Sequence, residues 1–498
     1  MIADIANTSL AGVLHWIVGH VVWPLYANLK YAYVQNPSHV ILETICIVTI
    51  IYLLFHRRFN PNSKEHNKLT LQEQEELIQE WVPEPLAPIA YEPAKQLVIS
   101  SCRTNGLVKV AGSNEPKLDF TSYDFLDFSS SESVKAECTK TIMKFGVGSC
   151  GPRGFYGTVT PHLLLEEKFA KFLGTEEAIL YSDGLATVSS VIASFSKAGD
   201  LIVCDDGVCH DIRCGLMLSR SRVVFFKHND MKDLERTLAQ IESDSTKSAK
   251  WSKHRKFIVA EGVYQTYGDI CPIDELVNLK QRYCYRLILD DSLGFGVLGA
   301  TGRGTCEMHG VDIKDVEIWC CRLDASLASV GGVCCGSKQV VEHQRLSGAG
   351  YVFSASSAMF TCTAAVKALA LIEEAPERCA SIRRRAEIAR RMAIQVFGDQ
   401  IQLGGDSISP ILYIRFKHET SEGESALNFY KSLAECMFNY FHMIVGVATF
   451  VPNDQSKLDP AIRIVLSCCH SEEQISSLIS NLRQSHQTLS QLQKLKSV

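Results

Sequence analysis

The sequence lacks an excess of either charge. Lys and Arg total 50 against 55 Asp and Glu, a formal net charge of −5, and that balance does not point to nucleic acid. It lacks ordered cysteine spacing. There are 19 cysteines in 498 residues, but they are scattered. The adjacent pairs Cys320-Cys321, Cys334-Cys335 and Cys468-Cys469 suit neither a zinc ligand set nor a disulfide framework. Buried free thiols in a reducing cytosol are expected. No basic segment precedes the first apolar run, which argues against a cleaved signal peptide. Charge is sparse as well: 21% charged against 46% hydrophobic leaves apolar side chains enough for a large core.

What is present begins with apolar stretches. Residues 1–38 carry runs such as Leu10–Val22, broken by His15, His20 and Pro24, and read as a lumenal or interfacial segment. Residues 39–55, from His39 to Phe55, are the most apolar run. As a helix they cover about 25 Å, enough to span a slightly thinned bilayer, with a buried globular helix as the alternative. His56, Arg57 and Arg58 follow at once, whereas only Lys30 precedes nearby. The positive-inside bias then puts the C-terminal bulk in the cytosol and the N-terminus in the lumen. Residues 56–95 read as linker and approach. Thr70 and Glu73 form a capping box opening a helix through about Trp81, and Pro83, Pro85 and Pro88 follow it.

From residue 96 the chain alternates strand-like and helical runs. Ala178–Tyr181, Leu201–Cys204, Val223–Phe226, Phe257–Ala260 and Arg286–Leu289 are short and apolar, and Leu165, Phe169 and Phe172 repeat at helical spacing before Gly174. Such alternation predicts an α/β fold with a mostly parallel sheet. After about residue 385 a charged helix, Arg383–Arg391, precedes strand-like Ile411–Phe416 and Ile462–Leu466, and a polar amphipathic helix closes the chain. The expected layout is a large domain over 96–384 and a smaller α/β domain over 385–498.

Four stretches carry the chemical signals. Gly146-Val-Gly-Ser-Cys-Gly-Pro-Arg-Gly-Phe-Tyr-Gly157 is glycine-rich, which permits close backbone approach to a ligand or a second chain, or simply tight turns. Ser182-Asp-Gly-Leu185 follows a strand and precedes a helix, the place for a phosphate on a helix N-terminus. Asp290 ends a strand, where open α/β sheets place ligands. Finally, Ile318–Gly336 is apolar, contains the Gly331-Gly332 pair, and has no lysine.

Together these stretches resemble the α-oxoamine synthases, pyridoxal-phosphate (PLP) enzymes of fold type I that condense an amino acid with an acyl-CoA. The resemblance covers residues 95–490. The family's cofactor lysine lies six residues before the paired glycines, a position held here by Ala325, and its active-site histidine is replaced by Leu293. An alanine cannot form a Schiff base. The family's ring-stacking histidine matches His210, and its pyridinium-pairing aspartate matches Asp290; a lone histidine is more often structural, and a strand-end aspartate is as readily structural as cofactor-binding. The resemblance implies that Cys150, Gly151, Arg153, Gly154, Tyr156, Ser329, Ser354 and Ser356 lie at a dimer interface or reach a partner's active site. The double loss of lysine and histidine resembles the non-catalytic branch of the serine palmitoyltransferases. That branch implies a heterodimer with a lysine-bearing subunit that holds PLP covalently. It also implies small regulatory membrane subunits, an endoplasmic-reticulum location, and condensation of L-serine with palmitoyl-CoA to 3-ketodihydrosphingosine. Two alternatives remain: a self-sufficient PLP enzyme with a displaced lysine such as Lys338, and a membrane adaptor without catalytic role. No metal ligands are expected.

Overall fold

The computed structural model describes residues 18–55, 70–81, 97–101, 103–149, 151–243, 254–417, 424–448 and 459–496. Arg57 and Arg58, on which the expected membrane orientation rests, and Cys150 lie outside them. The chain divides into two compact units, Met1–Ala94 and Lys95–Val498.

In the first unit a π-helical turn, Val18–Val22, leads into the helix Trp23–Gln35. Pro24 lies in its first turn, where a missing N–H breaks no helical hydrogen bond. The next helix is Pro37–Phe55. It starts two residues earlier than the apolar run suggests, because proline suits the first helical position, and its 19 residues span about 28 Å. It is the one helix among the described residues long and apolar enough to cross a membrane, with none of its apolar window buried. The Thr44 and Thr49 hydroxyls donate to the carbonyls of Val40 and Ile45, 2.7 Å in each case, which shields two polar groups within the helix. The helix Leu71–Glu80 opens on the expected capping box: Glu73 N–H donates to Thr70 Oγ1 at 3.3 Å, and Thr70 N–H donates to Glu73 Oε2 at 2.7 Å.

Among the described residues the second unit holds fourteen strands: β1 (Leu107–Val108), β2 (Lys117–Asp119), β3 (Glu177–Tyr181), β4 (Leu201–Asp205), β5 (Arg222–Phe226), β6 (Lys256–Glu261), β7 (Arg286–Asp290), β8 (Ile318–Arg322), β9 (Gly332–Gly336), β10 (Ile401–Gly404), β11 (Ile411–Phe416), β12 (Met443–Ile444), β13 (Gly446–Ala448) and β14 (Ala461–Val465). Seven form one sheet in the order β3-β9-β8-β7-β6-β4-β5. The pairs from β8 through to β5 are parallel; β9 runs antiparallel to both β8 and β3. Strands β4, β8 and β9 are buried along their whole length, as expected where helices cover both faces. That is why they read as continuous apolar runs. The helix Thr160–Leu173 buries Leu165, Phe169 and Phe172 and stops at Gly174, whose φ of 82° is left-handed, a conformation glycine adopts without a Cβ penalty. Phe169 stacks on Phe295 with centroids 5.2 Å apart, beside Trp319 of β8.

A second core gathers around the sheet β10-β11-β14-β13. The charged helix Glu377–Phe397 turns Ala386, Ala389 and Ala393 inward, and the terminal helix Glu472–Lys496 contributes Ile475, Leu478 and Leu482. Leu118 and Phe120 join this core from far upstream.

Candidate functional site

The parallel strands point their C-terminal ends in one direction. Glu261 of β6 and Asp290 of β7 are register partners there, and Arg322 ends β8 opposite Gly332. Asp290 is buried, and its carboxylate accepts from Ser292 N–H at 3.0 Å and from the Ser292 hydroxyl. Burial raises its pKa against those hydrogen bonds. Glu261 is pushed up to about 8 by burial and by Asp290 beside it. Glu261 is thereby mostly protonated at neutral pH, so Asp290 is the buried carboxylate that calls for a counter-charge.

Arg322 supplies one. It is 7% exposed. Its Nη1 lies 3.5 Å from Asp211 Oδ2 and 3.5 Å from Gln265 Oε1, and its Nε lies 3.3 Å from Asp324 Oδ1. The guanidinium carbon stands 5.9 Å from the Tyr123 ring centroid. The other side of this cluster is Arg463, 5.6 Å from the same ring, with Nη1 donating to Tyr123 Oη at 3.3 Å. The stem of Arg322 passes Gly184, where an added Cβ would come 3.3 Å from Arg322 Cγ. Thus Ser182–Leu185, the His210 segment and the end of β7 converge on one arginine.

The expected cofactor residues fall as follows. Ala325 is fully buried in the short turn Asp324–Leu327, and its carbonyl accepts from Phe125 N–H at 2.9 Å. Leu293 is buried in the main core. His210 is exposed at the start of the helix His210–Ser219, with Nε2 3.3 Å from Cys214 Sγ one turn on. At the expected phosphate position, the helix Leu185–Phe195 is served by its own anion: Asp183 Oδ1 accepts from Ala186 N–H at 2.7 Å. Lys338 follows the C-terminal end of β9, which lies beside the start of β8, so it is at the opposite end of the parallel strands from Asp290. These residues do not fit PLP in this chain. There is no amine at the lysine position, a carboxylate sits where the phosphate belongs, and the crevice holds a guanidinium.

The glycine-rich loop is built differently. Gly151 O accepts from both Ser356 N–H (3.0 Å) and Ser356 Oγ (2.9 Å), and Ser149 Oγ donates to Ser356 O at 2.6 Å. His162 accepts from Val159 N–H at Nδ1 (3.0 Å), so Nε2 carries the proton and donates to Ser357 O at 2.7 Å. Burial lowers its pKa and keeps the ring neutral. Arg153 is buried with Glu166, 2.9 Å away, and donates to Thr158 Oγ1 at 3.1 Å. Ser354 donates to Gly350 O and meets Ser182 Oγ at 2.8 Å, and Ser329 donates to Thr361 O at 2.6 Å. Gly154 has open space around it, and Phe155, Tyr156 and Phe353 are 73%, 93% and 85% exposed. Sequence reasoning missed Arg322, Gln265, Tyr123 and Arg463. The signal was visible for one of them: Arg322 is the only charge in β8.

Residues 115–482 match the family model described as aminotransferase class I and II. The long chain base biosynthesis protein 1b of Oryza sativa subsp. japonica is 37% identical over 97% of this chain and 98% of its own length. Serine palmitoyltransferase 1 of Dictyostelium discoideum is 36% identical over 92% and 96%. Among solved structures, the serine palmitoyltransferase of Sphingomonas wittichii superposes with a TM-score of 0.70 at 24% identity, covering 84% of this chain and 96% of that one. On sequence and fold together, this chain belongs to the serine palmitoyltransferase 1, or long chain base biosynthesis protein 1, family and has the fold of the class I and II aminotransferases.

Proposed function

We propose that this chain is the non-catalytic subunit of serine palmitoyltransferase. It pairs with the lysine-bearing subunit 2, and the pair condenses L-serine with palmitoyl-CoA to 3-ketodihydrosphingosine, the first step of sphingolipid biosynthesis. The observation that carries the reading is a complete transferase fold with Ala325 at the lysine position. PLP, the electron sink such a condensation needs, is then held by the partner. The contribution of this chain is shape. Ser356, His162 and the Arg153–Glu166 pair fix the 151–157 loop, and its exposed aromatics suit the centre of a protein interface. Helix Pro37–Phe55 serves as a single-pass anchor in the endoplasmic-reticulum membrane, with Arg57 and Arg58 holding residues 59–498 in the cytosol.

The test is co-expression with a lysine-bearing homologue, affinity purification through this chain, and turnover of L-serine and palmitoyl-CoA. The pair should turn over and this chain alone should not. Turnover by this chain alone, with one stoichiometric pyridoxyl-lysine after borohydride reduction, would replace this reading by the self-sufficient enzyme. A glycosylation acceptor placed near residue 100 should stay unmodified, and its modification would reverse the topology.

A further inference from the structure

Away from the strand-end crevice and the loop face, one surface sets exposed apolar groups among cations. The helix His210–Ser219 and its capping residue Arg220 place Arg213, Met217 and Arg220 on one side, because residues three and four apart line a single helix face. Strand β5, at the edge of the seven-stranded sheet, turns Val223 and Phe225 to one face by its two-residue period. Together they line a groove of about 390 Å³. The Arg213 guanidinium carbon stands 5.4 Å from the Phe225 ring centroid, and its nitrogens donate to the carbonyl of Val208 at 3.3 Å and to that of Asp206. Met217 is 74% and Leu218 61% exposed, and Phe225, Arg220 and Arg222 are exposed as well. Among the described residues no carboxylate lines this groove. The one acid on either element, Asp211, is held by Arg322, 3.5 Å away. Single exposed apolar residues are ordinary; Met217, Leu218 and Phe225 interleaved with arginines have the composition of an interfacial surface.

We infer that this surface docks on a bilayer containing anionic lipids. The arginines pair with lipid phosphates, while Met217, Leu218 and Phe225 enter the boundary between headgroups and acyl chains. The inference rests on the single-pass reading of Pro37–Phe55 only for proximity, since a tethered domain meets its membrane at high effective concentration. Charge complementarity selects the occupant. An anionic headgroup layer offers phosphates over a broad face with hydrocarbon beneath them, which matches cations set around apolar tips. Free phosphate would satisfy the arginines and leave those tips in water. An extended acidic segment paired to the edge of β5 would use main-chain groups and leave Met217 and Leu218, on the helix, without a role.

The test places the full-length chain, in the complex it forms in cells, in nanodiscs of phosphatidylcholine alone or mixed with phosphatidylserine, with Leu218 replaced by the photoreactive p-benzoylphenylalanine. Illumination should attach phospholipid at residue 218 in the mixed discs and several-fold less in phosphatidylcholine. Arg220→Gln with Arg222→Gln should lower that adduct by roughly tenfold or more, each basic residue at an anionic surface being worth about fivefold. Arg220→Lys with Arg222→Lys should keep it, because a headgroup layer responds to charge rather than to the guanidinium fork. The same photoreactive residue in place of Ile394, exposed on the helix Glu377–Phe397, should give only background. Alkaline carbonate extraction reads the anchor separately: release of the unsubstituted chain would refute the span Pro37–Phe55 and leave the photoadduct to judge this surface. The inference is overturned if residue 218 gives no lipid adduct or attaches to a protein chain instead, if the adduct ignores lipid charge or the glutamine pair, or if position 394 labels as strongly.

Discussion

Two regions of the second unit resemble family active-site segments, and they are built in opposite ways. The strand-end crevice keeps Asp290 but has Ala325 for lysine and fills its space with Arg322. The loop face keeps its glycines, and its hydrogen bonds pin Gly151 to Ser356 and His162 to Ser357. The crevice has no lysine at position 325 and is filled by a salt-bridged side chain. The loop has kept a shape, down to contacts that exclude a single methyl group. A buried cluster can be closed by any side chain that balances its charge, whereas a loop packed this closely tolerates little change of outline.

The comparison is tested most severely at the Arg153–Glu166 pair, whose side chains are 4% and 8% exposed. Arg153→Met leaves Glu166 buried without its counter-charge, with Leu180 N–H still donating to it at 2.9 Å; stranding a buried charge in this way typically costs ~3–5 kcal/mol. Chemical denaturation should show that loss, along with weaker co-purification of the partner. The double substitution Arg153→Met with Glu166→Leu should be markedly milder, since no charge is then stranded. Gly157→Ala comes next. Its Cβ would lie 1.8 Å from Gly151 O and 2.2 Å from Ser356 Oγ. Overpacking of this kind costs about 1–3 kcal/mol, and activity of the complex should fall more than stability because the loop face itself moves. If turnover survives while the midpoint drops, the loop is structural only.

A smaller effect separates the regions by pH. His228 lies 2.9 Å from Asp205 and 3.3 Å from Asp269, at the end of β4. Burial alone would lower its pKa, but hydrogen bonds to both carboxylates outweigh it and raise it to about 9. A raised histidine stabilises the fold fully below its unfolded value near 6.5, and that contribution fades as pH rises through 9. Glu261, raised to about 8, acts in the same direction, since ionising it is harder folded than unfolded. The thermal midpoint should therefore fall between pH 6.5 and 9, and His228→Asn should flatten much of that slope. An unchanged slope would remove this pair from the account. The smallest expected effect is on cofactor content. Ala325→Lys restores an amine at a fully buried position but leaves Arg322 and Asp183 in place. Mass spectrometry after borohydride reduction should find no pyridoxyl group at residue 325.

Much of the architecture was legible beforehand. The five apolar runs from Ala178 to Leu289 all became strands of the large sheet; four are largely buried, where two-sided burial demands apolar sequence, while the edge strand β5 is mostly half-buried or exposed. The Thr70 capping box and the Gly174 stop depend on neighbours within four residues, which is the range over which sequence speaks directly. The fold also held to the mostly parallel expectation, with β9 reversed.

The amino-acid sequence alone determined that residue 325 carries a methyl group, that one N-terminal run is long and apolar enough to cross a bilayer, and where the buried strands lie. Each of these follows from side-chain identity or short-range spacing. Only the tertiary structure decided where Arg322 points and what holds the glycine loop. Gly151 and Ser356 are 205 residues apart, and Arg322 meets partners 57 and 111 residues away. A long flexible cation reaches many possible acceptors in an unfolded chain, and its choice is made when sheet topology brings particular carboxylates to the same strand ends and closes them off from water.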